Sequence, residues 1–235
     1  MRGVRILLIV AVVLGGLFVA ADRLAVGLAE SKAAEKIQSS QGLSTAPEVS
    51  IKGFPFLTQV AGKQLDEVDM SLDGVTAGTG ERTIRLTEMT AELHDVKLEN
   101  NLSSATAARA TGTARISYQD LSKAASEGVS VGYGGQDKAG KGQVKVTGRV
   151  ALPVLGKTFE RSVVSTVAIA GGDTIRLRAD AIPGAQLPGL ERVVREKIDF
   201  DREISGLPEG LKLDKVEATA NGVEISVVGT QVKLG

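Results

Sequence analysis

From Val49 onward, apolar side chains recur at every second position. Val49 and Ile51 alternate with polar neighbours, as do Val68, Met70 and Leu72. The same holds for Ile84 and Leu86, for Met89, Ala91 and Leu93, and for Val144, Val146 and Val150. Successive side chains of a strand point to opposite faces, so this period of two describes strands with one apolar face, the habit of antiparallel sheets. The length of 235 residues suits one domain with a sizeable core, or at most two small ones. A chain that is 43% hydrophobic and 24% charged belongs with folded rather than disordered proteins.

Turn signals divide the alternating runs. The strongest is Asn221-Gly222. A two-residue turn there pairs Ala220 with Val223, Ala218 with Ile225 and Val216 with Val227, all apolar and on one face. Farther out, Leu213 meets Thr230 and Leu211 meets Val232 with the opposite facing, so both strands switch faces at one level. That predicts a long hairpin, bent or bulged. A second hairpin is expected to turn at Gly171-Gly172, setting Ala168, Thr166 and Val164 opposite Ile175, Leu177 and Ala179, with Arg176 and Arg178 on the other face. Two short helices interrupt the strands. "SYQDLSKAAS" opens with Ser117 and has Asp120 three residues later, a capping-box-like start. "PGLERVVREKI" has Pro188 in its first turn and sets Leu190, Val193, Val194 and Ile198 on one face. The glycine-rich stretch from Gly128 to Gly142 reads as a loop or a poor strand.

The N-terminus obeys a different rule. Arg2 and Arg5 precede an uncharged apolar run from Ile6 to Ala21. As a helix that run spans about 24 Å, somewhat short of the ~30 Å hydrocarbon core of a bilayer. It reads as a cleaved signal peptide, with Val19 and Ala21 as small residues before Asp22, or as a retained anchor with Arg5 and Arg23 snorkelling at its ends. By the positive-inside rule Arg2 and Arg5 stay in the cytoplasm and the remainder lies on the extracytoplasmic side. The helix is able to continue, since Val26, Ala29, Ala33 and Ile37 form a stripe of mostly small residues that suits close packing on a sheet. Leu24 and Leu28 lie on another face, free to extend an anchor or touch lipid. Gly42 and Pro47 end the segment.

The chemistry of most enzymes is missing. There is no cysteine, hence no disulfide, thiolate nucleophile or thiolate metal site. The single histidine, His94, sits in a strand-like run without the convergent donors that a metal needs. There is no G-x-S-x-G elbow, no phosphate-binding loop and no dinucleotide fingerprint. Asp66, Glu67 and Asp69 cluster, and Glu67 and Asp69 share the polar face of a strand; they read as a solvated face or, alternatively, as a carboxylate pair or cation site. Lys plus Arg equals Asp plus Glu at 28 each, which removes any general pull toward nucleic acid.

The segment "GFPFLTQVAG", residues 53–62, holds two of the chain's five phenylalanines. Gly53 can end a strand with an unusual backbone angle, and Pro55 can start a short helix while keeping Phe54 out of helical geometry. Phe56, Leu57 and Val60 would then share one helical face. Phe54 and Phe56 either plug one end of the sheet or line the mouth of an apolar groove.

Three segments together resemble the LmeA-like family of actinobacterial envelope proteins: "VSIKGFPFLTQVAGKQLDEVDMSLDGV", "ISYQDLSKAA" and "LPEGLKLDKVEATANGVEISVVGTQVKL". The resemblance implies phospholipid binding outside the cytoplasmic membrane and a fold similar to the tubular lipid-binding (TULIP) proteins. It brings no catalytic residues and no cofactor. In the mycobacterial relative, binding of phosphatidylinositol-type lipid accompanies lipomannan elongation. The expected architecture is therefore α+β: a strongly curved antiparallel sheet wrapping a long N-terminal helix, with two short additional helices. Residues 1–21 form a signal peptide or membrane anchor and residues 22–235 a single lipid-binding domain. Candidate lipid-contacting residues are Phe54, Pro55, Phe56, Leu57 and Val60, with Val26 and Ile37 from the helix. The expected partners are a phospholipid, of phosphatidylinositol type, or a glycolipid, together with the cytoplasmic membrane. The rival expectations are a non-catalytic envelope scaffold that recruits a glycosyltransferase or another partner, and an enzyme acting on envelope glycans through two convergent carboxylates.

Overall fold

The computed structural model of the chain describes residues 2–79, 82–99, 104–125, 127–152, 157–181, 195, 198–204 and 207–234. It opens with one continuous 40-residue helix, α1 (Arg2–Gln41), so the apolar run and the stripe beyond it share a single axis. Gly42, in the left-handed region at φ +63°, ends it. Val26 is buried, and Ala29, Ala33 and Ile37 are half-buried, so the small-residue stripe faces the protein. α1 packs on β1 (Glu48–Lys52) and on the short helix α2 (Phe56–Ala61). Its apolar N-terminal half has no such cover: every large apolar side chain from Val4 to Val19 is exposed.

The remaining elements are β2 (Gln64–Thr79), β3 (Arg82–Glu99), β4 (Ser104–Ile116), the helix α3 (Tyr118–Ala124), β5 (Val129–Gln136), β6 (Gly142–Leu152), β7 (Lys157–Ala170), β8 (Thr174–Ala181), β9 (Phe200–Glu203), β10 (Leu211–Thr219) and β11 (Gly222–Leu234). They form two antiparallel sheets rather than the one expected. The first has the order β1-β2-β3-β4-β11-β10 and the second β5-β6-β7-β8-β9. The chain leaves the first sheet at α3 and returns to it at β10. By contact density the chain forms two compact units. One comprises Met1–Leu72, Ala91–Ala110 and Thr230–Gly235, the other Asp73–Thr90 and Thr111–Gly229. β2, β3, β4 and β11 contribute residues to both.

In the first unit the buried side chains include Val26, Val49, Phe56, Leu65, Val68, Leu93, Val96, Ala107 and Val232. In the second, Val144 and Val146 of β6 and Leu177 of β8 meet Ala218 of β10 and Val223 of β11, so the second sheet packs on the β10–β11 hairpin. Tyr118 and Leu121 of α3 cover this cluster. Burying each such large side chain is worth about 1.5–3 kcal/mol.

α3 begins as read, with Ser117 as N-cap accepting the Asp120 N–H at 3.1 Å. Gly128–Gly142 takes its strand alternative in β5. The helix expected from Pro188 lies outside the described residues except at Arg195 and Ile198, both helical.

The two hairpins correct the expected registers. At the C-terminus Thr219 faces Gly222, Ala218 faces Val223 and Val216 faces Ile225, so Ala220 and Asn221 make the turn and Gly222 begins the strand. The reason is a close approach: Gly222, at φ +154°, runs against the Ile116 carbonyl oxygen, where a Cβ would collide with it. The predicted bulge is present, but β10 alone carries it. Leu213 faces Val227 and Lys215 faces Ser226, which leaves Asp214 as the extra residue. In β11 the left-handed residue is Gln231, at φ +52°. The other hairpin turns through three residues, Gly171 to Asp173, so Ile169, Val167 and Ser165 oppose Ile175, Leu177 and Ala179. Both glycines are left-handed, at φ +66° and +87°, and Asp173 joins the turn, which moves the register by one. Ile175, Leu177 and Ala179 are buried as expected.

A candidate lipid and membrane interface

The Gly53–Val60 segment is held from two directions. Gly53, at φ +90°, ends β1; a Cβ there would stand 2.5 Å from the Gln59 amide nitrogen and 2.7 Å from an Asp66 carboxylate oxygen. Gln59 ties the loop to the sheet, donating to the Lys52 carbonyl (3.2 Å) and accepting the Asp66 N–H (2.8 Å). Pro55, extended at φ −78° and ψ 140°, precedes α2 and offers no side-chain cap. The Phe54–Pro55 peptide is cis.

The missing cap comes from α1. Asp22 is fully buried, and its Oδ1 accepts the Leu57 N–H at 2.8 Å. Its Oδ2 pairs with the neighbouring Arg23 guanidinium at 2.6 Å. Burial alone would raise this carboxyl's pKa. The Leu57 N–H, Arg23 and the Phe56 N–H outweigh that and hold it below the usual aspartate value. The Arg23 guanidinium carbon lies 5.1 Å from the centre of the Phe54 ring, a cation–π contact. About two turns further along, Glu30 Oε1 accepts the Ile51 N–H at 2.7 Å. Three side chains of α1 therefore seat β1 and α2 against the helix just beyond the apolar run.

Phe56, Leu57 and Val60 fall within one arc of α2 but differ in burial. Phe56 points inward with 6% exposure, Leu57 outward with 36%, and Val60 is half-buried. Adjacent helical residues diverge by about 100°, and the Asp22 bond fixes which one turns in. Phe54 is 57% exposed. Phe56 thus belongs to the core and Phe54 to the surface. Pro55 and Ile37 are half-buried and Val26 is buried. Among the described residues of this unit, the exposed large apolar side chains that follow the N-terminal run are Leu24 (71%), Leu28 (65%), Phe54 and Leu57. Sequence reasoning gave Arg23 only as a flank of the anchor and Asp22 only as the residue after a cleavage site, and it missed Glu30. The available signal was a carboxylate at the foot of an apolar run, which needs a partner if it is to be buried.

The other candidates resolve into pairs. His94 Nδ1 lies 3.5 Å from Glu67, and Lys52 lies 3.2 Å from Asp69, so the acidic cluster divides between two partners. Among the described residues no group of three or more His, Asp or Glu side chains is placed to hold a metal ion. A cleft of about 430 Å³ in the second unit is lined by Ala170, Gly171, Thr174, Arg176, Asp201 and Glu203. Arg176 and Asp201 bridge it in a bidentate pair, both contacts at 3.1 Å. Those charged walls do not suit hydrocarbon.

Fold and contacts define an α+β chain led by a helix long and apolar enough to cross a membrane, with an apolar rim at its foot. The chain belongs to the LmeA-like phospholipid-binding family, whose match covers residues 20–228. Phospholipid binding is the property that defines this family, which is not a known enzyme family. No curated protein and no solved structure matches the chain.

Proposed function

We propose that the protein is exported and stays at the extracytoplasmic face of the cytoplasmic membrane, with its N-terminus inside. There residues 22–235 act as one lipid-binding domain that shelters acyl chains in an apolar groove of TULIP-like curvature. It presents a phosphatidylinositol-type phospholipid or a glycolipid to envelope lipoglycan synthesis, of lipomannan type, without catalysis. Phe54, Pro55, Leu57 and Val60 form the rim where the acyl chain enters; Phe56, Val26 and Ile37 form the wall behind it. Family membership carries this reading, and the exposed apolar side chains beside the N-terminal helix support it. Apolar walls suffice for such a ligand, because each buried methylene returns about 0.8 kcal/mol.

The test is direct. The side chains from Val4 to Val19 are exposed, so a chain beginning at Asp22 keeps the contacts of Asp22, Arg23 and Glu30. Purified without detergent, it should carry phospholipid adducts in native mass spectrometry and take up a fluorescent phosphatidylinositol from vesicles. A bare mass together with no uptake overturns the reading.

A further inference from the structure

Asp22 interrupts the apolar run of α1 in the sequence but not at its surface, and the half-exposed Arg23 is drawn onto Asp22 and Phe54. The Asp22 carboxylate is fully buried beneath the start of α2, and Arg23 covers it on one side and stacks on Phe54 on the other. Exposed apolar surface therefore continues from the N-terminal run through Leu24 to Phe54 and Leu57, which the Asp22 and Arg23 contacts hold at the level of residues 22–23. Lengths agree with this continuity. Ile6–Ala21 alone reaches about 24 Å, somewhat short of the ~30 Å hydrocarbon core, so an apolar rim beside its end adds the depth that the run lacks. The side chain of Arg23 is 48% exposed, so its guanidinium, held between Asp22 and the Phe54 ring, still presents N–H groups outward for lipid phosphate.

We infer that Leu24, Phe54 and Leu57 form a membrane-docking wedge. It sinks into the bilayer that α1 enters and seats the domain on that surface with Arg23 at phosphate depth. The occupant of this apolar rim is the bilayer itself. The inference rests on the proposed membrane location, and it adds a fixed pose to it: the Gly53–Val60 loop meets the lipid, and the far end of α1 stands clear. The end of α1 at Gln41 lies about 29 Å along the helix from Asp22.

The natural absence of cysteine makes the test clean. Leu24→Cys, Phe54→Cys, Leu57→Cys and, as a control beyond the far end of α1, Ser44→Cys are made singly in the full chain. Each is labelled with an environment-sensitive fluorophore and reconstituted in phosphatidylcholine vesicles. Labels at 24, 54 and 57 should emit to the blue, be quenched by a spin label high on the acyl chain, and show several-fold weaker iodide quenching than the label at 44. In a Phe54→Ser, Leu57→Ser double variant, whose altered positions are exposed and whose melting temperature should hold, the label at 24 should move toward water. Labels at 54 and 57 as open to iodide as the label at 44, with the helix inserted, overturn the wedge. Lipid uptake measured on the unaltered full chain and on the protein labelled at 44 separates the two ideas. Uptake without burial of the labels sinks the wedge alone; burial without uptake supports the wedge and sinks the carrier.

Discussion

Phe54 and Phe56 are two residues apart and have opposite fates, so they should respond oppositely to truncation. Phe56→Ala empties a buried site and should cost roughly 3–5 kcal/mol, whereas Phe54→Ala should stay within about 0.5 kcal/mol; urea denaturation of both variants checks this. Asp22 adds a pH dependence with a definite sign. Its carboxyl is held below the usual value, so its contribution is present above the unfolded pKa, ~3.9, and is lost as pH falls through the lower folded value. Asp22→Asn should therefore melt below the parent by a constant margin from about pH 5 to 8, and the margin should shrink below about pH 4. A margin that ignores acid would assign Asp22 a steric role instead. The local chemistry of Gly53 and Pro55 was legible in the sequence. Which phenylalanine turns inward was not, because the deciding bond joins Leu57 to a residue 35 positions away.

At the scale of elements, alternation identified β1, β2, β3 and β6 because each strand's apolar face is a local property, whereas β4, built mostly of alanine, threonine and serine, went unread. Registers were harder. Asn221-Gly222 has the composition of a turn centre, yet Gly222 lies against the Ile116 carbonyl and the turn moves back to Ala220-Asn221. A glycine demanded by a close approach in space looks in sequence like a glycine demanded by a turn. The distinction is testable. Gly222→Ala and Gly142→Ala place a Cβ into the backbone oxygens of Ile116 and Ala218, and each should cost at least about 2 kcal/mol. Gly132→Ala and Gly148→Ala meet open space and should stay within about 0.5 kcal/mol. The Ser117 cap was readable because Ser117 and Asp120 are neighbours on one turn; Ser117→Ala should cost about 1 kcal/mol by thermal denaturation.

For the whole molecule, strand order was the least legible property. Nothing local announces that β11 pairs beside β4, or that β5 to β9 close a sheet of their own. The charge balance, by contrast, needs no structure and bears on how the chain would hold a membrane. With Lys plus Arg equal to Asp plus Glu at 28 each, there is no net field to draw the protein to an anionic surface. Attachment must then come from apolar contact, supplied by Val4–Val19 and, on the wedge proposal, by Leu24, Phe54 and Leu57. Apolar attachment ignores salt. Membranes from cells making the full chain should keep it through a wash in about 1 M salt, where charges are screened beyond about 3 Å. A lysine at the middle of the run, Leu14→Lys, costs about 2.5–3.5 kcal/mol in bilayer and should shift protein into the soluble fraction. Release of the parent by salt would mean that charge holds it after all. A soluble product lacking the first 21 residues would mean instead that the run is a signal, cut before Asp22, and that Leu24, Phe54 and Leu57 must act without it.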